Sequence, residues 1–312
     1  MTMVELMVAL AIGSFLMIGA VQIYNQSRQS FVINESIARV QETAQFAMDS
    51  IEADLRMASN WGRNSRALAV EGRSIGGTAN PNGLAEPGGC GPGWVLDLAM
   101  TVDGENNAYT LACGAQGVAQ ANSDVVTVRR VTVAPQPLEP GRLQIQTTRI
   151  QGELIDDGIV PPTFSPADST THNLIVNSYY VATNSDLIPG VPTLRRKRLT
   201  SVAGAPTIVD EEVAPGVENL QIQFGIDVDE DNTVDRYVNP GDPVYDPSAG
   251  GYIPGARVMT ARIWLVVRGI SVETGIQDGT DYEPGDVDLG VINDSMRRTQ
   301  VSKTILLRNA RT

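Results

Sequence analysis

Histidine occurs once in these 312 residues, at His172, cysteine twice, at Cys90 and Cys113, and proline nowhere before Pro81. Each scarcity removes a class of function. A Ser-His-Asp device could be built only around His172, and its setting after Asp168-Ser-Thr-Thr reads as a surface histidine in a loop. Two cysteines with no histidine at ligand spacing exclude a zinc module. No glycine-rich phosphate loop occurs, and no convincing pair of carboxylates stands at a strand end, so no enzyme is expected. Basic residues are also few: 23 Lys and Arg against 36 Asp and Glu leave a net charge of -13 and a pI near 4.5. Nucleic acid is therefore not expected as a direct partner, because phosphate binding needs cations to release counterions. One basic run exists, Leu194 to Arg198 (LRRKR). Four charges within a strand read as a solvated face or as partners of nearby acids rather than as a DNA or lipid contact.

The absence of proline from residues 1 to 60 allows one continuous helix of about 90 Å at 1.5 Å per residue. Its first part, Met1 to Tyr24, reads MTMVELMVALAIGSFLMIGAVQIY, an apolar run whose one formal charge is Glu5. That run is long enough to cross a hydrocarbon core of about 30 Å. The order of a secretory signal peptide, basic residues before a shorter apolar region and a small-residue cleavage site, is not found, so the segment reads as retained. A carboxylate among lipid tails costs roughly 2 to 3 kcal/mol, so Glu5 demands compensation. Either it lies near enough to the helix start to meet the interface and the helix dipole, or a positive partner comes to it.

Beyond Tyr24 the pattern changes. Ile33, Ile37, Val40, Ala44, Ala47, Met48, Ile51, Leu55 and Ala58 recur at spacings of three and four, with Glu35, Arg39, Glu42, Asp49, Glu52, Asp54 and Arg56 between them. This predicts an amphipathic half, 25–60, whose apolar stripe packs on a body formed by 61–312.

Here the residues carry a resemblance. MTMVELMVALAIG resembles the class III signal of type IV pilins after cleavage by prepilin peptidase, with Glu5 at the matching position. The resemblance implies an N-methylated Met1 and a Glu5 that pairs with the terminal amine of a neighbouring subunit, which is the compensation the physics asks for.

The body is rich in turn residues, most of the 30 Gly and 18 Pro lying after residue 62, which predicts short strands joined by loops. Strand-like runs occur at 94–100, 125–134, 143–150, 178–184, 193–202, 219–227, 257–269 and 297–310, several alternating apolar with polar as half-buried antiparallel strands do. Long loops are expected at 62–92, 151–172 and 271–296. The fold class is α+β: a long amino-terminal helix packed on an antiparallel sheet, with a β-rich head enlarged by insertions.

Cys90 and Cys113 sit in Gly-rich, turn-like sequence. They read as one disulfide, since a membrane segment that exports the chain beyond it favours an oxidising compartment; free thiols are the alternative in a cytoplasmic protein. Asp227, Asp229, Asp231 and Asp235 occupy positions one, three, five and nine of an EF-hand-like pattern, and Thr233 could offer its carbonyl at position seven. The pattern is imperfect: Asn232 replaces the turn glycine and Val238 stands where a bidentate Glu belongs. A bound Ca2+ and a solvated acidic turn are the two readings.

The order YYVATN, LRRKRL, ENLQIQFGIDVDEDNTVDRYV, ARIWLVVRG and RRTQVSKTILLRNAR resembles the PilW minor pilins and the related J-type pseudopilins, and CGPGWVLDL with DGENNAYTLAC is similar to PilW-like sequences. The resemblance implies a subunit held in the inner membrane with a periplasmic head, then carried to the pilus tip. Its implied partners are other minor pilins, the major pilin and a PilY-type tip adhesin. The alternatives are a J-type pseudopilin of a type II secretion pseudopilus and a membrane-anchored, calcium-dependent periplasmic binding module.

Overall fold

In the computed structural model, residues 2–74, 79–273 and 276–311 are described. One helix, α1 (Met3–Met57), opens the chain. Thr2 caps it: the Glu5 amide donates to Thr2 Oγ1 (3.4 Å), and the Thr2 amide donates to Glu5 Oε2 (2.8 Å), a reciprocal capping box. It stops where Ala58 turns extended and Ser59 takes a left-handed φ of 62°, with Asn309 Nδ2 donating to the Ala58 carbonyl (3.0 Å).

The strands are β1 (Val70–Glu71), β2 (Val102–Glu105), β3 (Val125–Val131), β4 (Gln144–Thr147), β5 (Gly152–Ile155), β6 (Thr170–Ala182), β7 (Thr193–Val202), β8 (Ala205–Pro215), β9 (Val217–Asp227), β10 (Arg236–Val238), β11 (Arg257–Arg268), β12 (Asp281–Tyr282), β13 (Gly290–Val291) and β14 (Arg298–Leu306). Eight form a first sheet around β6, which pairs with β4, β3 and β7 in turn along its length, while β8 extends β7. A second sheet runs β10-β9-β11-β14, antiparallel throughout. The chain crosses from one sheet to the other at Gly216. Its φ of +98° suits only glycine, and an added Cβ would sit 2.8 Å from the Arg268 carbonyl.

The helix lies along the second sheet. Val40 lies beside Gly269, just after β11; Glu52 pairs with Lys303, which is opposite Ile263; and Ala58 meets Asn309, just beyond β14. Residues 40 to 58 cover about 27 Å of helix and 269 to 260 about 30 Å of strand, so strand and helix axes run roughly together. Val40, Ala44, Ala47, Met48, Ile51, Leu55 and Ala58 are buried there with Phe224, Ile226, Ile263 and Leu265, and with Val126, Val128 and Tyr179 of the first sheet. Burying a Met, Ile or Leu contributes roughly 2 kcal/mol each. A second core, around Trp61, Leu96, Ile145 and Val176, fills the far side of the first sheet.

The expected α+β plan and the apolar stripe are present. Three local expectations change. Residues 94–100 form turns, not a strand: Val95, Leu96, Leu98 and Met100 are buried while the backbone carbonyls of Trp94 and Met100 accept from the buried Arg129 guanidinium (2.7 to 3.1 Å). The stretches expected as long loops hold short strands: β1 in 62–92, β5 and the start of β6 in 151–172, and β12 and β13 in 271–296. Residues 205–215, assigned no strand from the sequence, form β8.

Candidate assembly surface and cation loop

Apolar side chains from Met3 to Tyr24 stand exposed along the first half of α1, and this helix is long and apolar enough to cross a membrane. Among the described residues, none from the head covers them. Glu5 is the only charged side chain from Met3 to Tyr24, and its carboxylate meets the chain's own Thr2 amide. Met1 lies outside the described residues.

Where the apolar half meets the head, an open groove of about 1250 Å³ runs between residues 25–46 of α1 and the ends of β8 and β11, with Val32, Ile33, Phe46, Ile188, Ile270 and Val272 among its walls. Below it the helix is held by buried charges that periodicity assigned to its polar face. Asp54 Oδ1 accepts from Arg130 Nε and Nη2 (2.9 and 2.6 Å), and Oδ2 accepts from Asn177 Nδ2 and the Tyr179 hydroxyl (both 2.6 Å). Glu52 pairs with Lys303 and Arg56, and Lys303 foremost holds its carboxyl below the usual range. In the wall of the groove itself, Ser36 donates to Glu273, which also accepts from Arg297 (3.2 Å). Glu52 and Asp54 lie between the buried positions Ile51 and Leu55, and the sequence did not mark them as anchors.

Cys90 and Cys113 form the expected disulfide, Cα atoms 4.1 Å apart. The loop it closes is pinned to β6 by Tyr109, which stacks edge-on against Tyr180 at 4.9 Å, and just beyond the loop the Gln116 amide donates to the Tyr180 hydroxyl (2.8 Å). The basic run is not a free cationic face. Arg195 and Lys197 are buried against Asp210, with Asp186 also on Arg195, and Arg196 and Arg198 pair with Glu211. His172 is buried within β6 rather than on the surface, its Nδ1 2.7 Å from the Thr132 carbonyl and its Nε2 3.1 Å from the Thr170 hydroxyl.

The acidic loop joins β9 to β10 at the end of the second sheet farthest from the apolar half of the helix, because Asp227 pairs with Arg257 at the edge beyond Leu306. Carboxylate oxygens of Asp227, Asp229 and Asp235 lie within 4.8 Å of one another. Asp231 is not among them: its Oδ1 accepts from the amide and hydroxyl of Thr233 (2.7 and 2.6 Å). Asp227 is fully buried, which works against its charge, yet Arg257 and the Asn232 amide hold its carboxyl below the usual range. Both partners bind Oδ2, at 2.9 and 3.0 Å; Oδ1 has no donor among the described residues. Elsewhere, Asp124 is buried between the amides of Asn107 and Ile222 (both 2.8 Å), and desolvation pushes its pKa up to about 7.

Residues 178–309 match the family described as type IV pilus-assembly protein W. Among solved structures, a type IV-like pilin from Thermus thermophilus is similar at 14% identity, with a TM-score of 0.29, over 61% of this chain and 80% of that one. No curated protein matches the chain.

Proposed function

We propose, from the match of residues 178–309 to type IV pilus-assembly protein W, that this chain is a minor pilin of a type IV pilus. Its work is structural. The observation that carries the reading is the first part of α1, Met3 to Tyr24, an exposed apolar rod with one carboxylate and, among the described residues, no partner in its own head.

In the inner membrane that rod anchors the subunit with its head in the periplasm; in a filament it packs among the helices of neighbouring subunits. Glu5 then exchanges its partner, releasing Thr2 and taking the terminal amine of the neighbour's first residue. In a low dielectric, such pairing relieves a cost of roughly 2 to 3 kcal/mol for an isolated carboxylate. Met1, after prepilin peptidase cleavage, is the methylated terminus. The head, too large for a closely packed shaft, belongs at the tip with other minor pilins and a PilY-type adhesin, the major pilin being added beneath.

The test is Glu5→Ala in the full chain, read by mass spectrometry of sheared filaments alongside membrane levels of the protein. Loss of the chain from filaments, with an intact Cys90–Cys113 bridge in the membrane fraction, is expected. Undiminished incorporation refutes the role given to Glu5.

A further inference from the structure

We propose that the loop from Asp227 to Asp235 binds one calcium ion through the carboxylates of Asp227, Asp229 and Asp235. Two independent observations converge. Three carboxylate oxygens gather within 4.8 Å of one another, and Asp227 Oδ1, fully buried, has no hydrogen-bond donor among the described residues. A buried, unsatisfied carboxylate oxygen is costly unless a cation or a donor reaches it. Arg257 satisfies only Oδ2. One guanidinium beside three carboxylates leaves the loop with unbalanced negative charge.

The chemistry selects the ion. All the ligands are oxygens, which suits a hard cation and disfavours zinc or copper. Ligands at 2.3 to 2.6 Å from calcium stand up to about 5 Å apart across the ion, whereas magnesium, at about 2.1 Å, spans only about 4.2 Å. Calcium also accepts irregular sets of six to eight oxygens, whereas magnesium demands near-ideal octahedral geometry and dehydrates reluctantly, so a loop that gathers three carboxylates within 4.8 Å of one another favours calcium. Asp231 and Thr233 shape the turn through their mutual hydrogen bonds, so the ligand set is narrower than the alternating acids suggest. Water or backbone carbonyls complete the six to eight oxygens that calcium takes. The ion ties the end of β9 to the start of β10, at the far end of the head from the membrane.

The experiment is thermal unfolding of the full chain in detergent, with CaCl2 or MgCl2 as the titrant at fixed ionic strength. Extracellular-type sites have dissociation constants of about 0.1 to 1 mM, so 10 mM CaCl2 raises Tm by about 2 to 4 °C. Magnesium gives little, Asp229→Asn and Asp235→Asn abolish the rise, and Asp231→Asn keeps it. The two ligand variants, stripped of a repelling charge, unfold no earlier than the wild type without calcium, so a folding defect is distinguishable from lost binding. Equal shifts with both salts, or a full calcium shift in Asp235→Asn, overturn the proposal.

Discussion

Replacing Asp54 with alanine tests how the head is held on its helix. The carboxylate accepts two hydrogen bonds from Arg130 and one each from Asn177 and Tyr179. Its removal leaves the Arg130 guanidinium, whose side chain is 16% exposed, without its carboxylate partner. Breaking one side of a buried pair costs about 3 to 5 kcal/mol, most of it from the abandoned charge. For a chain of this size that lowers Tm by about 5 to 8 °C. Asp54→Asn, which keeps the shape and one acceptor but not the charge, loses roughly half as much. Arg130→Met in the Asp54→Ala background removes the orphan and recovers about 1 to 3 kcal/mol, a coupling read from the double-mutant cycle. The assay is unfolding in detergent monitored by tryptophan fluorescence, since Trp61 is buried just past the helix end. A loss below about 1 kcal/mol, or no coupling in the cycle, refutes the claim that Asp54 anchors the helix.

Two further expectations concern the head. Burial raises the folded pKa of Asp124 from 3.8 to about 7, so its contribution is largest below pH 3.8 and is lost as pH rises toward 7. Between pH 4 and 7 the wild type therefore loses stability relative to Asp124→Asn as pH rises; identical slopes contradict this. Converting Cys90 and Cys113 to serine costs about 3 kcal/mol by the loop-entropy model and opens residues 106–119 to proteolysis, read as early cleavage in a limited digest. A bridge-free head as stable and as resistant as the wild type refutes it.

Periodicity made the helix legible, because its apolar stripe and the strands it meets each repeat with their own period. It missed Glu52 and Asp54 as anchors, since their partners Lys303, Arg130, Asn177 and Tyr179 come from β14, β3 and β6. No local signal announces contacts across such separations. The strand β8 was hidden by its acids and its prolines. Its acids are what hold it: Asp210, Glu211 and Glu212 lie opposite Lys197, Arg196 and Arg195 in the register, so the basic run and the missed strand explain each other. Conversely WVLDLAM resembled a strand because its side chains are buried, yet the carbonyls at Trp94 and Met100 go to Arg129. In the acidic loop, the alternation located the cluster but not which acids face inward, which depends on turn hydrogen bonds made by Asp231.

The near alignment of α1 with β9, β11 and β14 has a mechanical meaning. A pull on the head along the helix axis slides the two surfaces past each other, so the contacts at Ser36, Glu52, Asp54 and Ala58 are loaded together. A pull across the axis would peel them one at a time. Tension transmitted along the rod thus meets the joint in its strongest direction.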